Sequence, residues 1–273
     1  MSFLGILRGA FKETTALDED DIRRRPATRP RPTIIIAHDA FHTPAHFDRL
    51  QQDLAGAGFR VVIPQLPSSS SAAQSATLED DVNTLVFYGN AEIENGNNVV
   101  LVAHGYGSIP GSAAAERLNQ HSLDRPRTGS VTRLILIAGV ISRTNESYYD
   151  SVEAAWAVAR DNLVAIRKPE RILYNDCTPD TTTTALAQMR PHSESSLWAK
   201  STAPGWTSIP TFYLVCEDDQ AVAPSLQRGF VSILQGVNRR VEVGTLSGAG
   251  HCPFLSRTRE VAAMIVRQIL ENA

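Results

Sequence analysis

Residues 99 to 107 read Val-Val-Leu-Val-Ala-His-Gly-Tyr-Gly, an apolar run that ends on a histidine and two glycines. Five apolar residues without polar alternation describe a strand buried on both faces. The glycines let the backbone turn sharply, because glycine enters left-handed conformations without a Cβ penalty. Apolar residues then return with helical spacing over 109–118. A doubly buried strand running through a tight turn into a helix is half of a parallel β-α-β unit, and it needs helices on both sides.

The rest of the chain repeats this rhythm. Short β-branched or apolar runs predict strands at Thr33–Ala37, Phe59–Ile63, Val131–Ala138, Thr211–Val215 and Val241–Leu246. Helical spacing predicts helices over Phe47–Ala57, Thr77–Tyr88, Leu226–Leu234 and Arg259–Asn272. Pro64 to Ser75, with four consecutive serines, reads as a flexible loop. Alternation breaks over 141–207, which is rich in Thr, Ser, Asp and Pro, with helical patches near 151–166 and 183–190. The expected organisation is an N-terminal extension (1–32), an α/β core (33–140 and 208–273) and a lid insert (141–207) over the carboxyl edge of a mostly parallel sheet, where such folds bind ligands.

Composition narrows the function classes. With 42% apolar and 20% charged residues and a net charge of −3, the 273-residue chain fits one soluble globular domain and has no basic patch for nucleic acid. The mildly apolar N-terminus is broken by Arg8 and too short to span a bilayer, so stable membrane insertion is not expected. Three scattered cysteines, Cys177, Cys216 and Cys252, have no metal-ligand spacing and point to a reducing, cytoplasmic setting without a metal site. Pro110 breaks any extension of Gly105-Tyr106-Gly107 into a dinucleotide fingerprint, so no cofactor is expected. The expected partner is a small-molecule substrate, with a homodimer left open.

Four segments, each at the end of a predicted strand, carry the chemistry: Ile36-Ala37-His38-Asp39-Ala40-Phe41, the turn at Gly105, Leu214 to Ala221, and Ser247-Gly248-Ala249-Gly250-His251-Cys252-Pro253-Phe254. Together, from about residue 33 to 272, they resemble the α/β-hydrolase superfamily. Phe41-His42-Thr43-Pro44-Ala45-His46-Phe47 and Ile172-Leu173-Tyr174-Asn175-Asp176 resemble one branch of it, the plant methyl-ester esterases, hydroxynitrile lyases and related fungal hydrolases of small secondary metabolites. The resemblance implies an α/β-hydrolase fold, Asp219 as the acid, His251 as the base, and an oxyanion hole from the N–H groups of Ala40 and Tyr106. It puts the nucleophile at position 105.

Two residues depart from that pattern. Position 105 is glycine where the family has serine, and Asp39 stands where the family has glycine beside the oxyanion site. Glycine has no group to acylate. A His251–Asp219 dyad with an oxyanion site but no nucleophile suits reactions through an enolate: decarboxylation, retro-aldol cleavage, β-elimination or cyclisation, of lyase or isomerase type. Asp39 could act as an acid or pocket group, with His104 and His42 as further candidates, and Ser108 as a displaced nucleophile. The other readings are an esterase-like hydrolase in which His251 activates water, an inactive ligand-binding protein, and a serine hydrolase whose serine was exchanged for glycine.

Overall fold

The computed structural model describes residues 31–123, 129–202 and 204–271. The expected N-terminal extension therefore lies almost wholly outside the described residues. Six parallel strands form the central sheet: β1 (Thr33–Ala37), β2 (Val61–Val62), β3 (Val99–His104), β4 (Val131–Ile137), β8 (Thr211–Cys216) and β9 (Val241–Leu246), in the order β2-β1-β3-β4-β8-β9. The predicted strand over 59–63 shortens to two residues at the sheet edge.

Side-chain alternation along these strands divides the core in two. Ile35, Leu101, Leu134 and Tyr213 pack with Leu85 of α2 (Leu78–Glu94), Leu118 of α3 (Ser108–Leu123) and Phe230 of α5 (Pro224–Val237). Ile34, Val100, Ile135 and Phe212 pack with Leu50 of α1 (Asp48–Gly56) and Ile265 of α6 (Thr258–Leu270). Burial on both faces is why these strands read as unbroken apolar runs.

All six strands of this sheet fall within 33–137 and 211–246. The segment between them builds a second, three-stranded antiparallel sheet from β5 (Ala157–Arg160), β6 (Leu163–Ile166) and β7 (His192–Ser193), with α4 (Pro179–Gln188) packed beside it. The helical patch expected near 151–166 is instead the β5–β6 hairpin. Its two-residue turn, Asp161-Asn162, holds both residues at positive φ, the geometry that matches strand twist in a tight hairpin. The serine run is not a loose surface loop either. Residues Pro67–Ser69 form a 3-10 turn, and the side chains of Ser68 and Ser69 are fully buried.

Because every strand of the large sheet runs the same way, the segments after β1, β3, β8 and β9 emerge at one edge. That edge gathers Asp39, Gly105, Asp219 and His251.

Candidate active site

His251 and Asp219 come from the loops after β9 and β8. His251 Nδ1 lies 2.8 Å from Asp219 Oδ2. Asp219 is held rigidly: Oδ1 accepts the N–H groups of Ala221 (2.7 Å) and Val222 (2.9 Å), and Oδ2 also accepts from Gln227 Nε2 (2.8 Å). Gln227, on the first turn of α5, accepts the Cys216 N–H and donates to the Val222 carbonyl, so it ties the acid loop to the end of β8. Neighbouring Glu217 and Asp218 turn outward, to Arg228 and to Asn175.

The other half of the site is built at the ends of β1 and β3. Gly105 opens the turn between β3 and α3 with φ of +50°, inside the left-handed region. A Cβ placed on it would meet the Asp39 carboxylate at 2.2 to 2.6 Å. Asp39 therefore fills the space a side chain at 105 would need. From there it makes two bonds, Oδ2 to His251 Nε2 at 2.9 Å and Oδ1 accepting the Tyr106 N–H at 2.5 Å. Gly107 serves a different purpose: its missing Cβ lets α3 start against the Ala37 and His38 carbonyls, 2.4 and 2.5 Å from where that carbon would sit.

The Tyr106 N–H was expected to receive a substrate oxyanion. In the structure a carboxylate of the protein itself occupies it. The reason is steric, since the glycine at 105 leaves Asp39 free to lean across the turn.

His251 thus sits between two carboxylates, 1% exposed. Both ring nitrogens face acceptors, which is the hydrogen-bonding pattern of an imidazolium. Burial works against that charge, but Asp219 first and Asp39 second outweigh it and raise the His251 pKa to about 10. Burial likewise works to raise the Asp39 pKa. The His251 hydrogen bond and the nearby imidazoles of His104 and His251 prevail, and the carboxyl is held well below the usual carboxylate range.

The remaining candidates fall around this trio. Ala40 is buried on the Asp39 turn, next to Phe41, which is forced to a φ of +66°. His42 packs between His46, His104, Tyr174 and Phe254, with Nδ1 on the Ala40 carbonyl and Nε2 on the Tyr174 hydroxyl, as a core histidine would. His104 lies against His251, ring centroids 4.5 Å apart. Ser108 is buried with no hydrogen bond to its hydroxyl among the described residues, His251 included. Asp39, His104 and His251 also offer ligand atoms within 4.8 Å of one another, the only such metal-capable trio among the described residues.

Sequence reasoning missed Asp81, Ser68 and Gln227. Asp81 is wholly buried on α2, and its carboxylate accepts the Tyr106 hydroxyl (2.7 Å) and both the N–H and hydroxyl of Ser68. Burial pushes its pKa up to about 6. Asp81 anchors the ring of Tyr106 while Asp39 holds its N–H. No motif marks these residues, because their partners lie on other elements, which only the fold brings against them.

Residues 34–264 match the Alpha/beta hydrolase family. The chain belongs to that family. Family members similar to it include the alpha/beta hydrolase nvfD of Aspergillus novofumigatus, 29% identical over 243 residues that cover 86% of this chain and 95% of the relative. The probable hydrolase R7 of a Phoma species is 25% identical over 244 residues, covering 86% of this chain and 97% of that protein. Among solved structures, polyneuridine aldehyde esterase superposes with a TM-score of 0.70 at 17% identity, covering 87% of this chain and 99% of its own. Tomato methylketone synthase I complexed with 2-tridecanone gives 0.68 at 16% identity, covering 89% and 99%. At such identities the likeness establishes the α/β-hydrolase fold.

Proposed function

We propose that this α/β-hydrolase-family protein is a cofactor-independent acid–base enzyme of lyase or isomerase type, acting on a small oxygenated metabolite without an acyl-enzyme. The observation that carries this reading is the Asp39 carboxylate in the space beside Gly105, bonded to His251 Nε2. The residues divide the work differently from a dyad in which the histidine is the base. His251, protonated at rest, is the acid. Asp39 is the base, and Asp219 fixes the ring and its charge.

In such a step the substrate oxygen displaces Asp39 as acceptor of the Nε2 proton. Asp39 removes a proton from the carbon beside the substrate carbonyl, or from its hydroxyl, while His251 donates one to the oxygen where charge develops. One proton enters the pair and one leaves, so the protein returns to its starting charge. Positioned acid–base groups of this kind supply about 10²- to 10⁴-fold each. The trio holds two carboxylates against one imidazolium, and no arginine or lysine bonds to it among the described residues. A neutral substrate therefore suits the site better than an anionic one, which favours isomerisation, elimination or retro-aldol chemistry over decarboxylation of a free acid.

The test is deuterium exchange at carbons beside carbonyls, followed by NMR in D2O across a panel of uncharged hydroxy-ketones and esters. Wild type should exchange or convert at least one class, with Asp39→Asn and His251→Gln slower by about 10²- to 10⁴-fold. A second reading, hydrolysis by His251-activated water, draws support from relatives named as hydrolases. Ester turnover that survives Asp39→Asn and disappears in His251→Ala would favour it over ours.

A further inference from the structure

We propose that Asp39, His104 and His251 form a binding site for a divalent transition-metal ion, with Zn²⁺ the best match to the donor set. The three are buried and their ligand atoms lie within 4.8 Å of one another. Two imidazoles and a carboxylate are ligands that zinc accepts, and three protein ligands leave a fourth position for water or another oxygen.

The orientation of each ring supports this. His104 Nε2 lies 2.8 Å from the His251 carbonyl, which can only accept, so Nε2 carries the proton. The His104 lone pair is therefore at Nδ1, which is buried and has no hydrogen-bond partner among the described residues. A buried imidazole nitrogen without a partner is a costly arrangement unless something binds there.

The surrounding bonds match those that orient metal ligands. Metal-bound histidines nearly always donate their other N–H to a carboxylate or a backbone carbonyl. His251 Nδ1 faces Asp219, and His104 Nε2–H faces the His251 carbonyl. The third ligand, Asp39, is held by the Tyr106 N–H. Thus all three ligands have their orienting partners in place. Coordination replaces the proton on His251 Nε2, which is released to solvent, and the ligand atoms draw in to zinc distances of roughly 2.0–2.2 Å. The ion and the proton compete for one lone pair, so a bound metal holds the acid–base pair out of action. Metal binding itself does not depend on which reaction the pair performs.

Isothermal titration of chelator-treated full-length protein with ZnCl₂, in a weakly coordinating buffer, tests the site. The expected result is one ion per chain, lost in His104→Gln and weakened roughly 10- to 100-fold in Asp219→Asn, which removes an orienting bond without touching the ion. The surface variant His121→Ala should bind as wild type does. If His104→Gln does not fold, His251→Gln takes its place with the same expected loss. No saturable heat in wild type, or unchanged binding in Asp219→Asn together with either histidine variant, overturns the proposal.

Discussion

The two halves of the site solve the same problem in different ways. The half after β8 and β9 holds a carboxylate and an imidazole in the layout the family resemblance implies. Four donors converge on Asp219, and one of them is His251. The half after β1 and β3 has glycine at the turn, and a carboxylate from the neighbouring strand end fills the space a side chain at 105 would need. A rigid acid–histidine pair is indifferent to what faces Nε2, provided it is a hydrogen-bond acceptor at the right distance. The half built on the Gly105 turn can therefore change chemistry while the other half stays as it is.

If Gly105 and Asp39 are a matched pair, altering one should be far more damaging than altering both. Gly105→Ala puts a methyl group 2.2 Å from Asp39 Oδ1. Overpacking of this kind typically costs about 1–3 kcal/mol, and the left-handed backbone adds to it. In an Asp39→Gly background the clash disappears, leaving only backbone strain. Urea unfolding of the four proteins should give a coupling energy of about 0.5–3 kcal/mol in favour of the pair. Additive effects would mean that the two positions do not communicate. Gly105→Ser with Asp39→Gly goes further, since it puts a hydroxyl within the space beside His251. An acyl-enzyme burst on an activated ester is expected there, and not in Gly105→Ser alone.

Loss of support in the acid–histidine half should be felt as lost positioning. Gln227→Leu leaves the buried Asp219 carboxylate one donor short, a loss of about 1–3 kcal/mol in stability. Its effect on rate should exceed its effect on substrate affinity, because Gln227 acts only through Asp219. Equal effects on both would show that it holds the pocket rather than the acid.

How much of this was legible in the sequence follows the same division. Asp219 and His251 sit in short segments at strand ends, where the family resemblance singles them out from neighbours such as Glu217 and Asp218, and the structure brings the two side chains together. Asp39 and Gly105 were legible as departures, but their contact depends on which way one carboxylate leans, and periodicity says nothing of that. Gln227 and Asp81 look like ordinary helix residues until the fold brings their partners to them. The β5–β6 hairpin reads as helix in the sequence because the left-handed turn that marks it, Asp161-Asn162, lacks the glycine usual there. The serine run looked solvated, although Ser68 is buried by its bonds to Asp81.

A smaller effect separates the site from the other histidines. His38, His46 and His104 have pKa values lowered to about 4, and His192 to about 3, all chiefly by burial. The unfolded chain binds more protons than the native state below about 6.5, so these residues cause stability to fall as pH drops from there toward 4. His251 has the opposite sign. Its native state holds a proton that the unfolded chain loses above about 6.5, so its contribution fades as pH rises from there toward about 10. Metal-free protein should be most stable near neutrality, and Asp39→Asn should shorten the alkaline limb at its upper end. An alkaline limb unchanged by Asp39→Asn would remove that residue from the clasp.

The ring of His251 reports the central claim most directly. Nitrogen-15 NMR of chelator-treated protein at pH 8 should find hydrogens on both of its ring nitrogens, one facing Asp219 and one facing Asp39. A neutral ring at that pH, with a bare Nε2, would contradict the account.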